Sequence, residues 1–138
     1  MGTFEYFDHA ADVGIRVQGS SLPDLFLTGG QALMAWIGPA PPGDESLKER
    51  VSLQAEGLEE LYVRWLQELL YLFHQRHAYF TGAEQFEAKE CRLRAVITAS
   101  AWNDVSVADF QEIKAVTYHQ LELMREGSGW RASVILDI

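Results

Sequence analysis

Several things are scarce in this chain of 138 residues. It has one cysteine, Cys91, so no internal disulfide can form, which suits a reducing, cytoplasmic setting. No apolar run approaches the roughly 18 residues that a spanning helix needs, so no membrane is expected. The opening MGTFEYFDHA lacks both the basic and the apolar region of a secretory signal. Tyr6 stands where a myristoylation signal requires Ser or Thr. Cations are few: 11 Lys and Arg face 20 Asp and Glu, for a formal charge of −9. That balance disfavours tight non-specific binding to a phosphate backbone, and it favours a basic protein or a cation as partner. There is no G-x-S-x-G, no glycine-rich phosphate loop and no C-x-x-C, so common hydrolase, nucleotidase and thiol-redox signatures are absent. Repeats and low-complexity tracts are also missing.

What is present is apolar and patterned. Hydrophobic residues make up 48% and aromatics 12%, enough for one domain spanning 1–138 with a sizeable core. TFEYF (3–7) reads as a strand, and VGIRVQ (13–18) alternates Val13, Ile15 and Val17 with polar or small residues. Ser21 and Asp24 resemble a capping box opening a helix over 22–37, with Pro23 tolerated in its first turn. Gly29 and Gly30 are poor helix formers, so close packing against a sheet is expected there. GPAPPGDES (38–46) is the clearest loop and holds three of the four prolines. A strand over 50–56 precedes the strongest periodic segment, a helix over 58–77 with Leu61, Trp65, Leu69 and Phe73 on its apolar face. Burial of that face against the domain's own sheet is the expectation; a partner-binding helix is the alternative. Segment 79–88 is weakly patterned. Strands are expected over 90–101, 113–119, 120–124 and 130–138, with a hairpin at EGSG. The pattern predicts an α+β fold, two helices packed on one face of a mostly antiparallel sheet.

The polar residues offer few candidates for chemistry. Cys91 falls on the apolar face of the 90–101 strand and reads as a buried, inert thiol. His74 and His77, three apart near a helix end, have a metal-pair spacing, but no third ligand stands near them and a helix-end role suits them better. His119 reads as a hydrogen-bonding strand residue. Asp8 and His9 fit a turn, since Asp bonds its own backbone two residues on. Asp12 sits at the mouth of a strand with no turn left to make. Asp137 follows the apolar run VIL, and Ile138 carries the final carboxylate of the sequence. Asp12, Asp137 and that carboxylate form a hard oxygen-donor set for Ca²⁺, Mg²⁺ or Mn²⁺ if the two strands are neighbours. A frayed, solvated C-terminus is the competing reading.

FEYFDHAADVGIRVQGSSLPDLF resembles the opening signature of the archease family, with Ala10 in place of the usual threonine of DHTAD. EIKAVTYHQLEL and GWRASVILDI resemble its closing signature, and ELLYLF its middle helix, so the resemblance runs along essentially the whole chain. It implies an SHS2-type fold and a non-catalytic activator of the GTP-dependent RNA-splicing ligase of the RtcB type. Such an activator promotes ligase guanylylation and multiple turnover, and meets tRNA or other RNA only indirectly. The resemblance also implies a divalent-cation site, Ca²⁺ foremost, at Asp12, Asp137 and Ile138. It implies a part in ligase activation for Lys114 beside Asp12 and Asp137; Asp8 and His9, in the same opening motif, are candidate supporting residues. Two other readings are a chaperone-like modulator of a tRNA-modifying enzyme, such as a methyltransferase, and a stand-alone metal-dependent hydrolase.

Overall fold

The computed structural model describes residues 2–9, 11–41, 46–103 and 110–138. Strand β1 (Thr3–His9) leads into β2 (Asp12–Gly19) and helix α1 (Leu22–Ile37). Strand β3 (Ser46–Gln54) precedes helix α2 (Leu58–Arg76). Then follow β4 (Ala78–Lys89), β5 (Arg92–Ala101), β6 (Ala115–Glu126) and β7 (Gly129–Asp137). The α+β class and the two helices are as expected. The antiparallel strands are divided between two sheets, one of order β1-β2-β7-β6 and one of order β3-β5-β4. Sequence alternation reports which face of a strand is buried, and it is silent on which sheet the strand joins.

The helices form a layer between the sheets: α1 touches β1, β2, β7 and β4, while α2 touches β3, β4 and β6. Both helices are therefore buried over a wide arc, and Phe26, Leu33, Trp65 and Leu69 are all at most 1% exposed. Trp65 donates its Nε1–H to the Phe26 carbonyl at 2.7 Å, satisfying its polar group inside the core. Each sheet turns one face to this layer, with Val13, Ile15, Val17, Val134 and Leu136 from one and Val51, Leu93, Ile97 and Ala99 from the other. The α2 periodicity thus marks packing inside the domain and not a partner-binding face.

Helix α1 starts as its sequence dictates. Ser21 is the N-cap, and its hydroxyl accepts the Asp24 N–H at 3.1 Å. The Asp24 carboxylate reaches back to the Ser20 N–H at 2.8 Å, one residue before the cap. Gly29 and Gly30 do mark a close approach, but chiefly to the other helix. A Cβ on Gly29 would strike the Tyr62 hydroxyl, and one on Gly30 would lie 2.7 Å from Leu69 Cδ1 and 2.8 Å from Phe80. The expected sheet contact is met by Phe80 alone.

Other expectations are corrected. The third strand starts at Ser46 and stops at Gln54. Within the proline loop, residues 42–45 lie outside the described residues, as does Asp104 of the later polar break. Cys91 is not on a strand face. It shares the two-residue turn between Lys89 and Arg92 with Glu90, at φ 64 and 50, and is only half-buried. Segment 120–124 and the part of 113–119 from Ala115 onward belong to one strand, β6, whose pairing slips between Thr117 and Glu122; Ile113 and Lys114 precede it. Gln120 has φ 51 inside that irregularity, which gives the strand its break.

Candidate functional site

Asp12 opens β2, Asp137 closes β7, and Lys114 immediately precedes β6. These strands are adjacent in the four-stranded sheet. The β2–β7 ladder runs to Val13 opposite Leu136, so its next step sets Asp12 across from Asp137. On one side His9 pairs with Asp12, and on the other Ala115 pairs with Asp137. Lys114 donates its main-chain N–H to the Asp137 carbonyl at 2.7 Å, extending the ladder by one bond. His9, Asp12, Asp137 and the Lys114–Ala115 peptide thus form a row across one end of the sheet.

The carboxylates stay near water for a reason of phase. Val13 and Leu136 turn inward and are buried, so period-two alternation assigns Asp12 and Asp137 to the opposite face. Asp137, Lys114 and Ile138 are exposed, and Asp12 is half-buried. Neighbouring strands lie about 4.8 Å apart, so two carboxylates across this pair repel unless a cation or proton intervenes. Among the described residues, no three His, Cys, Asp or Glu side chains group as a metal site.

The same sheet face carries a feature that strand patterning passed over. The Phe7 ring lies across Gly14, where any side chain would collide with it, and the Arg16 guanidinium sits 4.6 Å from the ring centroid. Arg16 is also ion-paired to Glu5 at 2.8 Å. This stack braces β1 on β2 just inside the row of strand ends. The available signal was a glycine within an otherwise regular strand, which marks a close approach.

The remaining candidates separate. Asp8 is a strand residue opposite Val13, so it does not make the turn expected of it, and His9 is likewise in β1. Asp8 lies one residue from the row and is exposed. His74 and His77 have different partners: His74 Nε2 lies 3.4 Å from the Ile113 carbonyl, while the His77 ring stacks on Trp102 at 4.0 Å. His77 also ends α2 in the left-handed region, at φ 52, so the helix-end reading suits it. The exposed His119 lies in the β6 irregularity, its main-chain N–H bonded to Thr117 Oγ1 at 3.3 Å. No helix among the described residues is long and apolar enough to cross a membrane.

Comparison with known proteins agrees with this architecture. Residues 4–138 match the sequence model of the Archease protein family (MTH1598/TM1083). A protein archease of Methanosarcina barkeri is 34% identical over 139 residues, covering 98% of this chain and 95% of its own length. One from Pyrococcus furiosus is 29% identical over 142 residues, with both chains fully covered at 100%. The solution structure of Methanobacterium thermoautotrophicum protein 1598 superposes with a TM-score of 0.76 at 27% identity, covering 98% of each chain. The crystal structure of a Thermotoga maritima archease, described as a possible chaperone, shares the fold at a TM-score of 0.63 and 17% identity, covering 97% of this chain and 96% of that one. With the family match running nearly from end to end, the chain belongs to the archease family.

Proposed function

We propose that this protein is a non-catalytic activator of a GTP-dependent RNA-splicing ligase, promoting ligase guanylylation and repeated turnover from the sheet end that carries Asp12, Asp137 and Lys114. The observation that carries the reading is the meeting of these residues at three adjacent strand ends, from positions more than a hundred residues apart in sequence for Asp12 and Asp137. Two carboxylates and a lysine on a solvent-facing rim suit contact with a charged surface of another protein. The net charge of −9 suits approach to a basic RNA-binding enzyme.

The donor chemistry also fits a divalent cation. Asp12, Asp137 and the main-chain oxygens of Ile138 are hard oxygen donors of the kind that Ca²⁺ takes, with Mg²⁺ and Mn²⁺ as alternatives. A cation held there supplies positive charge that relieves the repulsion of the two carboxylates. Asp12 and Asp137 would hold and orient it. Lys114, fixed to Asp137 through its main chain, cannot ligate while protonated. It offers its ammonium group to an anionic group of the partner.

The test is a time course of guanylylation of an RtcB-type ligase with GTP, with and without this protein. Faster guanylylation and more ligated RNA per ligase are expected. An unchanged time course at saturating protein sinks the reading.

A further inference from the structure

The cations of this acidic protein are unevenly placed. On β3, alternation turns Lys48, Arg50, Ser52 and Gln54 away from the core; on β5 it turns Arg92, Arg94, Val96 and Thr98 the same way. Register adds Gln85, Glu87 and Lys89 of β4 to that outer face. Five of the chain's 11 basic residues therefore share one face of the three-stranded sheet. Glu87 is the one carboxylate at these outward strand positions, exposed Glu90 of the adjoining turn borders a groove beside Arg92, and Glu84 of the β4 irregularity is engaged by Lys48 at 2.8 Å.

Pairing sharpens the contrast. Of the six bases away from this face, Arg16, Arg64, Arg76 and Arg131 each hold a glutamate within 3.5 Å, Arg125 lies over the Trp130 ring, and Lys114 has no ion pair among the described residues. Arg50, Lys89, Arg92 and Arg94 make no ion pair among the described residues, although acids outnumber bases 20 to 11. An open groove of about 510 Å³ runs between Arg50 and Arg94, and two smaller ones share Arg92 and Arg94.

We propose that the outer face of β3-β5-β4 is a docking surface for the phosphate backbone of duplex RNA. The unpaired arginines suit phosphate oxygens, which they bind in a two-pronged geometry. Arg92 and Arg94, two residues apart on one strand, stand about 6.7 Å apart along it, comparable with the step between successive phosphates. Phe86 borders the groove but turns its ring onto Phe26 and Trp65, so the face presents no outward aromatic on which the bases of a single strand would stack. Apart from half-buried Val96 it lacks the apolar anchors that centre a protein interface. Backbone contact to a duplex requires neither. The net charge of −9 keeps such binding weak, but at physiological salt charges beyond about 8 Å are largely screened, so the local cluster dominates. The choice of RNA over DNA rests on the ligase reading above; the phosphate chemistry does not. The acidic strand ends belong to the other sheet, so one molecule has separate surfaces for enzyme and RNA.

The experiment is fluorescence anisotropy of a labelled RNA duplex of about 20 base pairs titrated with the full chain, ligase absent. Four phosphate contacts predict an affinity that falls about a hundredfold between 50 and 200 mM salt. Arg50→Gln/Lys89→Gln/Arg92→Gln/Arg94→Gln is expected to weaken binding at least about tenfold at low salt. Arg16→Gln/Arg64→Gln/Arg76→Gln/Arg131→Gln, with the same change in net charge, is expected to stay within about threefold. Should the first variant melt early, Arg92→Gln/Arg94→Gln set against Arg64→Gln/Arg131→Gln carries the same comparison at equal charge. Absence of binding by the parent chain, equal losses in both variants, tighter binding of single-stranded RNA or duplex DNA, or displacement by polyglutamate at matched charge each overturns the proposal. The last outcome would assign the face to an acidic polypeptide. A parallel guanylylation assay keeps the two readings apart. Duplex binding without stimulation removes the ligase partner alone, and stimulation without duplex binding removes the RNA face alone.

Discussion

The main-chain N–H of Lys114 donates to the carbonyl of Asp137 at 2.7 Å, tying the residue before β6 to the residue that ends β7. The bond uses backbone atoms only. Lys114→Ala is therefore expected to leave the fold intact, with a change within about 0.5 kcal/mol in urea unfolding. It is also expected to leave cation affinity nearly unchanged in calorimetric titration while weakening ligase stimulation. Lys114→Pro removes the N–H, and a loss of about 1 kcal/mol or more is expected.

Asp12→Ala and Asp137→Ala are expected to lower Ca²⁺ or Mn²⁺ affinity and ligase stimulation together. In metal-free buffer their stability should hold or rise slightly, because one of two repelling carboxylates is gone. Full stimulation by both variants in multiple-turnover ligation would show that the acidic row is idle.

Tyr62 is 1% exposed, and its hydroxyl has no hydrogen-bond partner among the described residues. Burial pushes its pKa far above the ordinary tyrosine range. Since the hydroxyl loses water and gains no partner, Tyr62→Phe is expected to be neutral or stabilising by up to about 1 kcal/mol. Gly29→Ala puts a methyl against that hydroxyl and is expected to cost about 1–3 kcal/mol despite alanine's better helix propensity. Adding Tyr62→Phe should recover part of this loss, read as non-additivity in a double-mutant cycle by thermal unfolding.

At the start of α1, the Ser20 main-chain N–H is the largest influence holding the Asp24 carboxyl below the usual carboxylate range. A depressed folded value stabilises the fold above the ordinary range near about 4, and the contribution disappears as pH falls through the folded value. The stability difference between the parent and Asp24→Asn should therefore shrink from pH 7 to pH 2 in urea midpoints. Ser21→Ala, which removes the capping hydroxyl, is expected to cost about 1 kcal/mol at either pH.

Cys91 and Glu90 both hold left-handed backbone in a two-residue hairpin turn. That conformation favours Asn-Gly, so Glu90→Asn/Cys91→Gly is expected to raise stability by about 1 kcal/mol. The half-buried thiol should react with a maleimide in the native protein, without unfolding. Reaction only after unfolding would restore the buried-thiol reading.

Local pattern determined much of this protein. The Ser21–Asp24 cap set where α1 starts, and a 3.6-residue apolar period set α2, because both depend on neighbours within one or two turns. Alternation likewise assigned Val13, Ile15 and Val17 to a buried strand face and left Asp12 at its exposed end. Long-range pairing was the work of tertiary structure. Only the fold divides the strands into two sheets, places β2 beside β7, and thereby brings Asp12 to Asp137 and Lys114. It also moved Cys91 from a strand face into a turn and gathered Arg50, Arg92 and Arg94 on one outer face. The physical reason is that a strand's side chains alternate whatever its partner, so one sequence pattern fits many pairings. The partner is chosen by which apolar faces cover the Trp65–Phe26 layer together, a property of the whole chain.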